Sequence, residues 1–316
     1  MRTPLSPTDI LEKLPHRHEN IIVDEVTCVQ DGDVSKAELY VTLSSDNPAR
    51  ALFLRTLPSG EQVAITPIFM EILALASVSC TPKTADQLLI YAGIAMFKKV
   101  HDLKAGDKAF GVVTRKRGRG VFINCEAQLY TPDNQLVCTS DLTAALVDAA
   151  AIAAADPDAP KRLMAIPEQS CNIAIDKQRY GKDLRMVVAD TITHLAEDMI
   201  VTSYRYPEDH PCVRGHFPGN PIMMGVMQWM AIEDALQAYV WQYCSGADRP
   251  QTITAEGVLV RSDGAIVAEI KGYKAGLSGV STAVYAELLE TKKVIFREPL
   301  RPGETVFAIL TSIETL

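Results

Sequence analysis

One histidine of this chain stands in a stretch that can hold a side chain in a fixed direction. His216 is followed by the loop Phe217-Pro-Gly-Asn-Pro221, and a predicted apolar helix begins near Gly225. Proline fixes one backbone dihedral and glycine permits tight turns, so such a loop can aim a side chain. An imidazole with an ordinary pKa of about 6.5 suits general base catalysis near neutral pH. We therefore expect His216 to act as a catalytic base.

This loop resembles the signature of the hot-dog β-hydroxyacyl-acyl-carrier-protein dehydratases, the FabZ and FabA type. The stretch from Gly215 to Val226 follows that signature except at Met224, where the family has a second proline. In that family the histidine works with a carboxylate fourteen positions later, and here that position is Met230. The resemblance thus implies a dehydratase loop whose acid is absent from its own helix.

Internal repeats show where an acid could come from. Leu103–Thr114 matches Leu300–Thr311, and Thr66–Glu71 matches Gly225–Met230. The first pair is a turn feeding an apolar strand, and the second is a helix start. Glu71 therefore falls on the position of Met230, while Leu57 stands fourteen positions before Glu71, where the first half would need its histidine. Each half keeps one of the two groups.

The family resemblance also implies sites shared between two subunits, so a fused pair predicts one composite site of His216 and Glu71. His216 would remove the C2 proton of a 3-hydroxyacyl thioester. Glu71, in an apolar helix where its charged form is disfavoured, would protonate the departing C3 hydroxyl. Amides at a helix start would polarise the thioester carbonyl, and the sequence leaves Thr66 and Gly225 open for this role. The other predicted substrate contacts are Phe217, Pro218, Gly219 and Met224.

The predicted fold class is α+β, a double hot dog in which two antiparallel sheets each wrap around an apolar central helix. Residues 1–150 form the first hot dog with Glu71, residues 151–170 an Ala/Pro/Asp-rich linker, and residues 171–316 the second hot dog with His216. Leu14-Pro-His-Arg17 resembles the start of the same dehydratases. We interpret His16 and His18 as part of this structural lead-in.

The second half has extra residues between its helix and its last matched strand, and the chain ends soon after that strand. Within the extra segment, Val260–Ala268 resembles Tyr130–Cys138 of the terminal hairpin of the first half. We expect a circularly permuted second hot dog in which residues 256–274 fill the vacant sheet positions. A simple C-terminal truncation is the rival interpretation.

Composition narrows the class of protein. The 316 residues, 47% hydrophobic and 22% charged, are enough for two globular cores. A net charge of −8 argues against nonspecific nucleic-acid binding. The apolar run Val63–Cys80 is not read as a membrane span, because Thr66-Pro67 starts a helix inside it and Glu71 lies near its middle. The N-terminus has no apolar leader, which predicts a cytoplasmic location.

The cysteines and the ligand chemistry give further expectations. Seven scattered cysteines, an odd number without a CxxC pair, predict buried small side chains in a reducing compartment, with no disulfide framework or zinc site. No cofactor or metal is expected, since the substrate would itself carry the phosphopantetheine of acyl carrier protein or CoA.

A basic cluster is the candidate partner surface. Arg115, Lys116 and Arg117 stand at a predicted hairpin, with Lys98 and Lys99 shortly before them. They form either a solvated turn or a docking patch for an acidic acyl carrier protein. The chain is expected to be a monomeric pseudo-dimer or a higher homo-oligomer.

The resemblance predicts an enzyme, a hydro-lyase that converts (3R)-3-hydroxyacyl thioesters to trans-2-enoyl thioesters in fatty-acid or polyketide-type synthesis. The alternatives are a non-catalytic acyl-binding partner subunit and a thioesterase that uses Glu71 as its base. A cavity shared by Glu71 and His216 would favour the dehydratase.

Overall fold

The computed structural model describes residues 1–32, 34–84, 86–116, 118–148, 161–244, 250–280 and 283–316. The elements of the first half are β1 (Arg2–Leu5), α1 (Pro7–Lys13), β2 (Glu25–Asp31), β3 (Val34–Thr42), α2 (Pro48–Ala51), β4 (Leu54–Thr56), β5 (Gln62–Ala64), α3 (Ile68–Cys80), β6 (Gln87–Lys99), β7 (Lys108–Arg115), β8 (Phe122–Tyr130) and β9 (Leu136–Asp148). Those of the second half are β10 (Ile173–Ala174), β11 (Thr191–Ala196), β12 (Met199–Arg205), α4 (Gly225–Tyr243), β13 (Thr252–Arg261), β14 (Ile266–Val280), β15 (Ala283–Thr291), β16 (Lys293–Phe296) and β17 (Thr305–Thr315).

Each half wraps its sheet around one helix. Every residue of α3 from Ile68 to Ser79 is buried, because the helix is apolar on nearly all sides and packs against β2, β3, β7 and β8. Helix α4 packs in the same way against β12, β13, β14, β15 and β17. In β8 the alternate residues from Ile123 to Leu129 are buried, the two-residue period of a strand with one covered face. Among the described residues, no helix is long and apolar enough to cross a membrane.

The strand order confirms the predicted permutation. In the first half, the order of hydrogen-bonded strands is β3-β7-β8-β9-β6. In the second half it is β12-β17-β13-β14, and β14 then pairs with both β15 and β16. The final strand, β17, thus holds the place of β7, while β13 and β14 hold the places of β8 and β9. A strand's position depends on its hydrogen-bonded neighbours and not on its order in the chain, so the permuted sheet is complete. The truncation reading is wrong.

The halves join edge to edge through β6. Ile94 and Gly93 face Val294 and Ile295 of β16, and Lys98 and Phe97 face Glu290 and Thr291 of β15. A Cβ at Gly93 would lie 2.4 Å from the Val294 carbonyl oxygen, so this approach requires glycine. The seam makes one continuous 15-stranded sheet, and β4 and β5 form a separate small one.

The predicted linker falls partly outside the described residues, at 151–160. After it, the chain follows the second half: the Met164 amide donates to the Gly264 carbonyl at 2.9 Å, and the Ile266 amide donates to Arg162 at 2.9 Å. The boundaries at 150 and 171 stay predictions.

One cysteine expectation is wrong. Cys28 on β2 and Cys80 at the end of α3 form a disulfide across 52 residues. Packing of α3 on β2 brings them together, and sequence spacing gives no sign of that. The other five cysteines are free, with Cys171 half-buried and the rest buried. The disulfide removes the argument from cysteine content for a reducing compartment.

Candidate active site

A mainly apolar cavity of about 320 Å³ lies where the two halves meet. Helix α3 and strand β6 supply one wall. The loop at His216, the first turn of α4 and the segment 296–301 supply the other. The lining side chains include Glu71, His216, His16, Leu75, Val78, Leu89, Tyr91, Ile94, Ile222 and Gln228.

His216 is held in one orientation by its own loop. Its Nδ1 lies 3.0 Å from the Ile222 carbonyl oxygen, so Nδ1–H donates and the Nε2 lone pair is left free. The Phe217 ring stacks on the imidazole with centroids 4.3 Å apart. Burial lowers the pKa of His216 from 6.5 to about 4, which keeps the ring neutral. A neutral imidazole with one free nitrogen can accept a proton.

Glu71 lies in the first turn of α3 and is 8% exposed. Burial raises its pKa from 4.5 to about 7, so the protonated form is well populated near neutral pH. No Arg or Lys forms an ion pair with it among the described residues, and His16 Nε2 lies 3.6 Å from its Oε1. Among those residues, Glu71 is therefore a buried carboxyl without a neutralising cation.

His16 is the residue whose place the sequence interpretation missed. Its Nε2 lies 3.6 Å from Glu71 Oε1, and its ring centroid lies 5.1 Å from that of His216. It lines the cavity, so it is more than a structural lead-in. The resemblance of Leu14-Pro-His-Arg17 to the family was the available signal, but nothing in the sequence shows that this segment reaches α3.

The two helix starts that could polarise the thioester carbonyl, at Thr66 and at Gly225, differ in whether their amides are free and whether they line the cavity. At α3 the amides of Ile68, Phe69 and Met70 already donate to carbonyls one turn back, at 3.0 to 3.2 Å. Thr66 does not line the cavity, whereas Gly225 does. Because Gly225 is the first residue of α4, its amide has no intrahelical acceptor and lies at the positive end of the helix dipole. The geometry favours Gly225 for polarising a carbonyl.

The remaining predicted contacts divide in the same way. Phe217 lines the cavity. Pro218 and Gly219 are exposed in a turn of the loop, where Gly219 has a φ of +83°. Met224 is fully buried beneath the loop and does not line the cavity. The cavity is lined instead by Asn220, Ile222 and Met223 of the same loop. Residues of the segment 296–301 also line it, and no sequence motif had indicated that this segment belongs to the site.

The equivalent place on the other side of the seam holds a buried ion pair and a hydrogen bond between a hydroxyl and a carboxyl group. Thr56 donates its amide to Gly181 at 2.7 Å, just as Arg17 donates to Gly215 at 3.0 Å beside the cavity. There, Lys182 forms a buried ion pair with Asp234 of α4. Glu233 accepts from the Tyr273 hydroxyl at 3.3 Å. Leu57 and Met230, which occupy the positions of the missing histidine and the missing acid, do not line the cavity.

The candidate docking patch is smaller than predicted. Lys99 is buried and paired with Asp102 and Glu287, so it cannot meet a partner. Lys98 and Arg115 are exposed. Lys116 is exposed and pairs with Glu126 at 2.6 Å, and Arg117 lies outside the described residues.

The side-chain atoms of His16, Glu71 and His216 that could bind a metal ion all lie within 4.8 Å of one another. Two imidazoles and one carboxylate are a donor set that transition metals accept. The expectation that the protein uses no metal stays a prediction.

Parts of the chain are similar in sequence to known dehydratases. Residues 192–253 match the model of a family described as ApeI-like, ApeI dehydratase. The 3-hydroxyacyl-[acyl-carrier-protein] dehydratase FabZ of Bacillus subtilis (strain 168) is 29% identical over 147 residues, which cover 45% of this chain and 98% of that protein. The FabZ of Bacillus velezensis (strain DSM 23117 / BGSC 10A6 / LMG 26770 / FZB42) matches with the same identity and the same coverage of both chains.

Solved structures extend the match to both halves. The dehydratase domain of a mycocerosic acid synthase-like polyketide synthase has a TM-score of 0.50 and 12% identity, and the alignment covers 94% of this chain and 96% of that one. At this identity the likeness concerns the fold. The chain is thus a double hot-dog protein in its fold, and parts of it are similar in sequence to FabZ and to the ApeI-like family model.

Proposed function

We propose that the protein dehydrates 3-hydroxyacyl thioesters at one composite site made by both halves. The observation that carries the proposal is that His216 from the second half and Glu71 from the first line one apolar cavity. An acyl chain can lie along its apolar walls, and a volume of about 320 Å³ is within the range of ligand sites.

The chemistry follows from the positions of the groups. The Gly225 amide polarises the thioester carbonyl, which acidifies the C2 proton. The free Nε2 of His216 takes that proton, and the electron pair forms the C2–C3 double bond. The C3–O bond breaks as Glu71 gives its proton to the departing oxygen, so water leaves. His216 is then protonated at both ring nitrogens and Glu71 is ionised, and transfer of the Nε2 proton from His216 to Glu71 restores the enzyme.

Opposed protonation preferences support this division of roles. Burial keeps the imidazole neutral, as a base must be, and favours the protonated carboxyl, as an acid must be. A thioesterase that uses Glu71 as its base would need the ionised carboxylate, which burial disfavours.

The test is an assay of enoyl hydration and 3-hydroxyacyl dehydration with wild type, His216→Ala and Glu71→Gln. We expect each substitution to lower kcat/KM by about 10²- to 10⁴-fold, since each removes one acid-base group. His101→Ala and Glu12→Gln make the same chemical changes at exposed positions and should leave the rate unchanged. Full activity in either site variant, or thiol release without dehydration, would contradict the proposal.

We further propose that the substrate arrives on an acyl carrier protein in the cytoplasm, and that Lys98, Arg115 and Lys116 contribute to docking. They are the described exposed cations of the cluster. Arg115→Glu should raise KM for the carrier-bound substrate and leave KM for a pantetheine thioester unchanged. An equal change for both substrates would assign Arg115 another role.

A further inference from the structure

His16 is a third polar group at the reaction centre that the proposed chemistry has not used. It is 5% exposed and lines the cavity beside Glu71. Burial and the neighbouring His216 hold its pKa well below the ordinary value, so the ring is neutral and carries a single proton. The place of that proton decides what His16 can do.

The surroundings of the two ring nitrogens are unequal. Nδ1 is buried and has no hydrogen-bonding partner among the described residues. Nε2 faces Glu71 Oε1 at 3.6 Å. A buried N–H without an acceptor is rarer and less favourable than an unpaired acceptor. The neutral ring therefore carries its proton on Nε2, directed at the Glu71 carboxyl.

At 3.6 Å the Nε2–H makes only a weak electrostatic contact with Oε1 of the resting, protonated acid, because the distance lies just beyond the range of an ordinary hydrogen bond. During dehydration, however, the Glu71 proton moves to the departing oxygen and the carboxyl becomes negative. An N–H beside a developing carboxylate forms a charge-assisted hydrogen bond, which is roughly twice as strong as a neutral one. An interaction that forms only as charge develops lowers the barrier without tightening substrate binding.

Resting on the proposed function, we infer that His16 is a positioning residue whose Nε2–H stabilises the Glu71 carboxylate as it forms. The bond breaks again when Glu71 regains its proton from His216. No further reactant is needed, because a ring nitrogen of each histidine and a carboxylate oxygen of Glu71 lie within 4.8 Å of one another, so the proton stays among these three side chains.

The other groups that can influence Glu71 either direct their protons elsewhere or make no hydrogen bond to it among the described residues. The His216 proton is directed to the Ile222 carbonyl. Burial raises the pKa values of Cys212, before the loop, and Tyr91, on β6, so both keep their protons, but neither makes a hydrogen bond to Glu71 among the described residues. Lys83 lies beyond His16 and acts on that ring.

The test compares His16→Met, which has a similar volume and no donor, with His16→Gln, which keeps an N–H. We expect His16→Met to lower kcat by about 10- to 100-fold, the effect of one charge-assisted hydrogen bond, with KM changed less than about two-fold. His16→Gln should recover most of the loss. Without the donor the carboxylate is less favoured, so the alkaline limb of the pH–rate profile should move to higher pH in His16→Met.

A purely structural role would lower thermal stability without moving that limb, and unchanged kcat and pH profile in His16→Met would overturn the inference. If wild type itself fails to dehydrate, the proposed function fails instead. A second measurement needs neither activity nor a variant: ¹⁵N NMR of histidine in the wild type should show His16 protonated at Nε2 and bare at Nδ1. A proton on Nδ1 would overturn the inference.

Discussion

Glu71 and His216 share one apolar cavity, and burial moves their pKa values in opposite directions, to about 7 and about 4. Both shifts have the same cause, since burial disfavours charge on either group. Between these values each residue is in its neutral form, and that is the form in which a base can accept a proton and an acid can donate one.

The pH dependence of the rate follows from these shifts. Activity requires neutral His216, which is lost as pH falls through about 4, and protonated Glu71, which is lost as pH rises through about 7. We therefore expect kcat/KM to be bell-shaped, with its alkaline limb near pH 7. Steady-state rates across acidic and alkaline buffers measure it. A rate that keeps rising well above pH 7 would mean that Glu71 works as an ionised base.

The free energy of unfolding should also depend on the ionisation of Glu71, and it should fall as pH rises. The folded pKa of Glu71 is raised, so its contribution to the free energy of unfolding is fully present below 4.5 and is lost as pH rises through about 7. At about 1.36 kcal/mol per pKa unit, the loss is about 3 kcal/mol. Glu71→Gln removes this dependence. The free energy of unfolding of the variant, relative to that of wild type, should therefore rise by about 3 kcal/mol from acidic to alkaline pH.

Urea unfolding of wild type and Glu71→Gln at both ends of this range measures the difference. Glu12→Gln is the matched control, since the same exchange at an exposed position of α1 should leave the difference near zero. A pH-independent difference for Glu71→Gln would show that the carboxyl is not destabilised when ionised.

At the scale of elements, the reaction centre depends on the seam between β6 and β16. Helix α3 is packed inside the first half and the loop of His216 belongs to the second, so the seam fixes the distance between acid and base. Gly93 is the closest approach there, with its missing Cβ 2.4 Å from the Val294 carbonyl oxygen.

Gly93→Ala should therefore disturb the site from a distance. The added methyl group meets backbone that cannot rotate away, so we expect a loss of about 1 to 3 kcal/mol in the free energy of unfolding and a fall of at least about 10-fold in kcat/KM. Gly276→Ala in β14 is the control, because its Cβ would meet Leu289 at an ordinary 3.4 Å. Wild-type activity in Gly93→Ala would show that the seam does not position the two groups.

At the scale of the whole molecule, only one side of the seam has kept the reacting groups. On the other side Lys182 and Asp234 are paired, with side chains only 5% and 2% exposed. The Val188 amide also donates to Asp234, at 2.8 Å. This buried ion pair therefore connects segments of the second half.

Lys182→Met should leave a buried carboxylate without its cation and lower the free energy of unfolding by about 3 to 5 kcal/mol. The activity of the folded fraction should be unchanged, because Lys182 does not line the cavity. Lys116→Met is the control: it breaks a pair in which both side chains are 53% exposed, and should cost no more than about 1 kcal/mol. Loss of activity in folded Lys182→Met would contradict this prediction and show that the ion pair on one side of the seam affects the cavity on the other side.

Much of this could be predicted from the sequence because it is local or repeated. The loop at His216 carries its own signature, and aligning the halves pointed to Glu71 and to the permuted hairpin of β13 and β14. The choice between Thr66 and Gly225 could not be made, since both begin helices and only packing shows which amides are free. Cys28 and Cys80 gave no sign of pairing, because a helix had to be placed on a strand first.

The sequence by itself determined which residue types are available for acid-base chemistry and which half supplies each, because side-chain identity and repeat position are written along the chain. Only the tertiary structure decided what surrounds them. The free energy of a charge depends on burial and on neighbours within a few ångströms, and these come from segments far apart in sequence. His16 lies 200 positions before His216, and its place beside Glu71 follows from the folding of the N-terminal segment onto α3.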